Sequence, residues 1–293
     1  VIGISAGLAH GASSVFETPG PAGSTSVAML TSTKAIVVYI DAAGSGYTTA
    51  VVLEISGSTI TAGTPFQYDG DSDNVDVVML TSTKVLSTWR SGSLSNQGLA
   101  TVLLISGTTI SKGSDVVFET NYLQDSSLAR LSSTQAIVCY RDHGGTNYGT
   151  SCIISVSGST TVTVGTPAVF ESASTYDVSV ATFSSTKAIV CYQDAGNGSY
   201  LTARILSISG SSISVGTEVV FANSSSTVPT VSVLSSTKAI VVFSDAGNSY
   251  YGTSRILDIS GTTISITGNA TVYDSSQSRD NVAAALSSTE AVV

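Results

Sequence analysis

The sequence predicts an all-β protein assembled from one repeated unit, and three observations carry that expectation. A short turn, LTSTK, ends at Lys34 and again at Lys84; its variants LSSTQ, FSSTK, LSSTK and LSSTE end at Gln135, Lys187, Lys238 and Glu290, at steps of 50 to 52 residues. A β-rich run follows each turn: AIVVY, VLSTW, AIVCY twice, AIVVF and a shorter AVV. No segment carries the apolar period of an amphipathic helix.

The elements of the unit follow in order. After the β-rich run comes a turn such as RDHGGTNYGT or SDAGNSYYGT, then a strand ending in ISG or VSG at Gly57, Gly107, Gly158, Gly210 and Gly261. A strand of the form TISxGTxxVF ends at Phe66, Phe118, Phe170, Phe221 and Tyr273, and a variable loop leads to a run such as DVSVATF before the next turn. The unit thus holds four strands: A before the SSTK turn, then B (the AIVVY run), C (the ISG strand) and D (the VF strand), joined by Ser, Thr, Gly, Asn and Asp. Strand B is apolar on both alternations, which suits burial between two neighbouring units. A repeated four-stranded unit of this length is the signature of a propeller blade, because one blade cannot bury both of its faces and a ring of blades covers them.

The expected architecture is a six-bladed β-propeller of four-stranded antiparallel blades, its ring closed by strands from both termini. Whole blades fall at about 25–67, 75–118, 126–170, 178–221 and 229–273, with a composite blade from 1–17 plus 281–293. Val1–Ser5 matches the C strand Ile205–Ser209, Leu8–Phe16 matches the D strand Ile213–Phe221, and Asn281–Leu286 with Glu290–Val293 supply A and B. Pairing of Val1–Ser5 with Glu290–Val293 would latch the ring. Seven blades or an open array is the alternative, and a two-sheet sandwich competes on strand content.

Composition narrows the partners. With 20 acidic against 11 basic residues and a net charge of -9, nucleic acid is a poor partner, since phosphate binding needs a Lys/Arg excess. No apolar run is long enough to span a bilayer, so no membrane insertion is expected. The opening residues carry no basic segment of a signal peptide. Cys139, Cys152 and Cys191 read as small buried hydrophobes, a Cys139–Cys152 cross-strand bridge being the alternative. His10 and His143 stand in no nucleophile–base spacing, and Arg90, Arg130, Arg141, Arg204, Arg255 and Arg279 show no common place in the repeat.

Antiparallel order places the SSTK and SGTT turns on one face and the B–C and D–A loops on the other. Lys34, Lys84, Lys187 and Lys238 form an incomplete basic ring on the turn face. The loop face varies most, in QYDGDSDN, ETNYLQDSS, ESASTYD, ANSSSTVP and YDSSQSRDN, and variable loops on a rigid scaffold are where binding residues gather. The candidate ligand-binding residues there are Asp69, Asp71, Asp73, Asp76, Tyr122, Tyr148, Tyr176, Tyr200, Tyr250, Tyr251, Arg279 and Asp280. Tyrosines beside carboxylates suit sugar recognition and also a protein-binding surface. Carboxylates at Asp69, Asp71 and Asp73 resemble the opening of a calcium loop, but Asn74 stands where that loop needs Gly and Leu80 where it needs Glu; a solvated loop is the other reading. No other cofactor is expected. Asp41, Asp142, Asp194 and Asp245 recur after strand B and read as turn caps, and Trp89 reads as a packing residue.

The string SSTKAIVVxxDAGNSxYGTxxIxxISGTTIS resembles a low-complexity propeller repeat seen in virion and tail-fibre proteins of aquatic phages and in bacterial cell-surface proteins. That resemblance implies an extracellular display module of a virion or cell surface, an adhesin that binds a glycan or protein receptor and contacts other surface proteins. The function expected is non-enzymatic recognition. A glycan-active hydrolase or lyase with carboxylates at the channel mouth is the alternative.

Overall fold

A computed structural model describes residues 22–41 and 46–293. Unit one runs β1 (Ala22–Thr31), β2 (Lys34–Asp41), β3 (Tyr47–Ser56), β4 (Thr59–Ala62) and β5 (Phe66–Asp69). Unit two runs β6 (Ser72–Thr81), β7 (Lys84–Ser91), β8 (Gln97–Ser106), β9 (Thr109–Lys112) and β10 (Val116–Glu119). Units three and four run β11 (Leu123–Arg130), β12 (Gln135–Asp142), β13 (Tyr148–Ser157), β14 (Thr161–Val164), β15 (Ala168–Ser184), β16 (Lys187–Asp194), β17 (Tyr200–Ser209), β18 (Ser212–Val215) and β19 (Val219–Ala222). Unit five runs β20 (Thr227–Ser235), β21 (Lys238–Asp245), β22 (Tyr251–Ser260), β23 (Thr263–Ile266) and β24 (Thr271–Gln277), and β25 (Ala284–Ala285) with β26 (Ala291–Val292) follows. The only helices among the described residues are three single 3-10 turns, at Gly92–Leu94, Ala195–Asn197 and Ala246–Asn248.

The protein is all-β, and its strands pair antiparallel in the order A–B–C–D. Strand D is not continuous. Leu53 pairs with Ala62 and Ala50 with Phe66, so D carries one extra residue, and Gly63 N–H donates to Val52 O at 2.8 Å across the break. Gly113, Gly165 and Gly216 repeat that bond to Val102, Ile153 and Ile205, which makes the break a bulge built into the repeat. Strand A is bulged as well. Gln124 pairs with Arg141 and Ser127 with Cys139, and the extra residue sits near Asp125 at φ 48. Asn74, Asp177, Val228 and Asp280 occupy the same place with positive φ.

One expected loop is absent. ESASTYD runs as strand inside β15, which serves as D of unit three and A of unit four. It contains no Gly, Pro or Asn to break the run. The strands expected at Val1–Ser5 and Leu8–Phe16, and His10, lie outside the described residues, so of the expected composite blade only β25 and β26 are described.

The core is a series of layers, one between each pair of successive units. Ile36, Val38, Ala50 and Val52 of unit one pack on Val85, Trp89, Leu99 and Leu103 of unit two, and equivalent layers join the later units. In strand B of unit two, Val85 and Trp89 face back while Leu86 faces unit three. This is what apolar residues on both alternations predict. Each fully buried Val, Ile or Leu contributes about 1.5–3 kcal/mol.

Specific bonds fix the spacing of the units. A hydroxyl or carboxylate on strand A of one unit accepts a backbone N–H from strand A of the next: Ser127 from Val180, Ser179 from Val231, and Asp76 from Leu128 at 2.8 Å. On the turn face, Lys34 Nζ donates to Gly107 O, Lys84 Nζ to Gly158 O, and Gln135 Nε2 to Gly210 O. These side chains are staples between units, and an amide serves as well as an ammonium. The aromatic in strand B is met by one from the preceding unit's D strand at every junction from one to four: Tyr68–Trp89, Phe118–Tyr140, Phe170–Tyr192 and Phe221–Phe243, with centroids 5.1 to 5.8 Å apart. The glycine of the YGT motif makes room for that ring, since a Cβ on Gly149 would lie 2.3 Å from Phe170. Cys139, Cys152 and Cys191 are buried free thiols, and burial pushes Cys152 up to about 12.

Candidate functional site

On the loop face, the side chain six residues beyond the SSTK turn decides what each junction between units becomes. That residue is Ile40, Arg90, Arg141, Gln193 or Ser244 in units one to five. Arg90 and Arg141 therefore share a place in the repeat, and Arg204 and Arg255 share another on strand C, which corrects the reading of the arginines as scattered. Repeat alignment on the turn lysines is the signal that reveals it.

Three junctions are filled. Arg90 pairs with Asp73 at 2.7 Å, donates to the Tyr122 hydroxyl at 2.9 Å, and lies over the Tyr122 ring at 4.8 Å. The same ring meets His143, with centroids 4.9 Å apart. Arg141 binds Gln124, approaches Asp125 at 3.5 Å, and lies over the Tyr176 ring at 4.4 Å. Burial raises the Asp125 carboxyl above the usual range against the opposing pull of Arg141, with Asp177 adding to the rise. Gln193 Nε2 donates to Ser226 O at 2.8 Å.

Where the residue is Ile40 or Ser244, the junction stays open. The first cleft, about 360 Å³, is lined by Gly23, Ser24, Ile40, Asp71, Asp73 and Arg90 among others. The last, about 480 Å³, is lined by Thr227, Val228, Ser244, Tyr250, Gln277, Ser278, Arg279 and Asp280. Volumes of this order suit small ligands. Ser278 N–H donates to Tyr250 O at 2.9 Å and ties the two walls together.

Two residues of the last cleft hold left-handed backbone that the repeat elsewhere gives to permissive types. Tyr250, at φ 61 and 46% exposed, occupies the B–C loop place held by Gly46, Asn96, Asn147 and Ser199. Val228, at φ 53, stands at the place held by Asn74, Asp125, Asp177 and Asp280. A β-branched or aromatic residue there costs about 1–3 kcal/mol, and such strain persists chiefly at functional sites.

A third cavity of about 440 Å³ lies among the A strands, lined by Asp76, Ser126, Asp177, Ser179, Val228 and Thr230 among others. Its carboxylates are committed to structure. Asp76 accepts from the Ser26 hydroxyl at 2.6 Å and from the N–H groups of Val77 and Leu128, and Asp177 accepts from Val228 N–H at 2.9 Å. Burial raises the Asp76 carboxyl, with those donors opposing.

The structure divides the sequence-selected residues. Tyr250, Arg279 and Asp280 share the last cleft, and Asp71 and Asp73 share the first. Tyr122 and Tyr176 are stacking platforms for arginines. Asp69 accepts from Trp89 Nε1 and from Ser72 Oγ, and so belongs to the packing of unit two. Asp76 lies in β6, not in the loop, and bridges units. Asp69, Asp71 and Asp73 do not converge: among the described residues, the one carboxylate group close enough to share an ion is Glu171, Asp194 and Glu218. The Arg204 guanidinium already meets Glu171 at 3.2 Å and Glu218 at 2.7 Å in that group. Tyr148, Tyr200 and Tyr251 begin C strands and are part-buried. Asp142, Asp194 and Asp245 accept from Gly145, Gly196 and Gly247 N–H, as turn caps do, and Trp89 is fully buried. Ser244, Val228 and Gln277 were not selected from sequence.

No protein-family model and no curated protein matches this sequence. Solved structures do. A hypothetical selenium-binding protein from Sulfolobus tokodaii aligns over 83% of this chain and 64% of its own, with TM-score 0.61 and 7% identity. A triple arginine-to-alanine mutant of AofleA from Arthrobotrys oligospora aligns over 89% and 74%, with TM-score 0.56 and 11% identity. The NanB sialidase from Streptococcus pneumoniae aligns over 69% of this chain and 33% of its own, with TM-score 0.50 and 12% identity. The chain thus spans less than two thirds of the first and a third of the last. At such identities the likeness concerns the fold alone, and that fold is β-propeller-like.

Proposed function

We propose that this chain is a six-bladed β-propeller, closed by strands from both termini with blade limits as the repeat sets them, and that it is a non-enzymatic recognition module. Its place is extracellular, on a virion tail fibre or a cell surface, where it grips a glycan or protein receptor by the loop face and other surface proteins by the rest. The observation that carries the reading is the departure from repeat at the last junction: a short side chain, two strained residues and an unplugged cleft fall together. Structure repeats in every unit, whereas a binding site breaks the repeat. The axial carboxylates support recognition over hydrolysis, because Asp76 and Asp177 are held by backbone N–H groups and Asp125 by Arg141, leaving no free acid–base pair among them.

A glycan array combined with a turnover assay on the chain tests this. Retention of a glycan or receptor without release of product is the expected outcome. Steady cleavage of a bound glycan would replace the recognition module with the hydrolase or lyase.

A further inference from the structure

We infer that the last cleft is a subsite for a carboxylated saccharide of the uronate class, with Arg279 taking the carboxylate and the Tyr250 ring taking the apolar face of the sugar. The inference rests on the recognition reading above and deepens it.

Arg279 is the starting point. Arg90, Arg141 and Arg204 are ion-paired, Arg130 donates to Leu80 O and Arg255 to Phe221 O. Arg279 alone among the described arginines has no hydrogen-bond or ion-pair partner, and it is exposed on the cleft wall. A guanidinium offers a planar fork of donors that matches a carboxylate bidentately. The units that carry arginine six residues beyond the turn satisfy it internally with Asp73 or Asp125. Here the arginine has moved to the opposite wall, beside Ser244, and its anion is left to come from outside.

The rest of the lining fits a sugar. Tyr250 presents an exposed ring held by a strained backbone, so it is pre-placed at the rim. Gln277, Ser278 and Asp280 supply the mixture of donors and acceptors that ring hydroxyls need. Asp280 beside Arg279, and the net charge of -9, disfavour a densely charged polyanion and suit a sugar bearing a single carboxylate.

The test is titration of the intact chain with D-glucuronate, D-galacturonate and their neutral hexoses, followed by saturation-transfer NMR or calorimetry. At least one uronate should bind about tenfold more tightly than its hexose, the scale of one charge-assisted pair. Arg279→Gln should remove that preference, and Tyr250→Ala should weaken both sugars with no change in melting temperature beyond a small rise. Equal binding of uronate and hexose, no uronate binding, or a uronate preference that survives Arg279→Gln would overturn the assignment. Neutral array hits that Tyr250→Ala abolishes would leave the recognition reading standing and remove only the carboxylate. A peptide receptor insensitive to Arg279→Gln would do the same, and an array and receptor screen with no hits would remove both.

Discussion

The junction between units three and four and the junction after unit five share one backbone plan and come to opposite ends. In the first, Arg141 is 5% exposed and sits between Asp125 and the face of Tyr176. In the second, Ser244 holds the same place, and about 480 Å³ stays open. A single repeat position thus decides whether two units are cemented or parted. Strain follows the same division: the cemented junction puts Asp125 and Asp177 in the left-handed bulge, which tolerates them, and the open one puts Val228 there.

The largest expected effect is at the cemented junction. Arg141→Ser removes the guanidinium from between Asp125 and Tyr176 and leaves a part-buried carboxylate beside Asp177; it should destabilise the protein by about 3 kcal/mol in denaturant titration. An unchanged midpoint would mean that the junction is held by its apolar layer alone. At the open junction the sign reverses. Tyr250→Asn and Val228→Asn restore the residue types that the repeat uses, and each should stabilise by about 1 kcal/mol while Tyr250→Asn weakens ligand binding. If either substitution destabilises, the residue is packed rather than strained.

Smaller effects probe the bonds between units. Asp76 has a folded-state pKa raised by burial, so its ionised form is disfavoured in the fold, and the penalty is present at neutral pH. It fades as pH falls through the raised value toward the unfolded 3.8. Asp76→Ser, which copies Ser127 and Ser179, should therefore gain most over the wild type near pH 7 and lose that gain as pH is lowered. A gain that grows with acidity would contradict the assignment. The smallest effect belongs to the turn face: Lys84→Gln should leave stability within about 0.5 kcal/mol, because Gln135 already makes the equivalent bond, whereas Lys84→Ala should cost about 0.5–1 kcal/mol.

Local pattern reached the strands, the turns and the caps, since each depends on neighbours in sequence: the apolar run of strand B, the Asp that binds the glycine N–H after it, and the burial of Trp89 all read directly. What escaped depends on partners one repeat away. Asp76 looked like part of an acidic loop because its acceptor role involves Ser26 and Leu128, about fifty residues on either side. Lys34 and Lys84 looked like part of a charged ring because their acceptors, Gly107 O and Gly158 O, belong to the next unit. The bulges in strands A and D left no breaker that single-unit reading could distinguish from a turn. For the site, Tyr250, Arg279 and Asp280 were legible as loop residues, while Ser244 and Val228 gain meaning only against the residues that hold their places in the other units.

Ser244→Arg places in the open junction the residue that closes two others. Binding of the glycan or receptor selected on the array should be measured for the wild type and this variant, with circular dichroism as the check on the fold. Binding should fall by about a hundredfold or more, some 2.7 kcal/mol, with the β-sheet signal unchanged. Undiminished binding by a folded Ser244→Arg protein would place the recognition surface away from the last cleft.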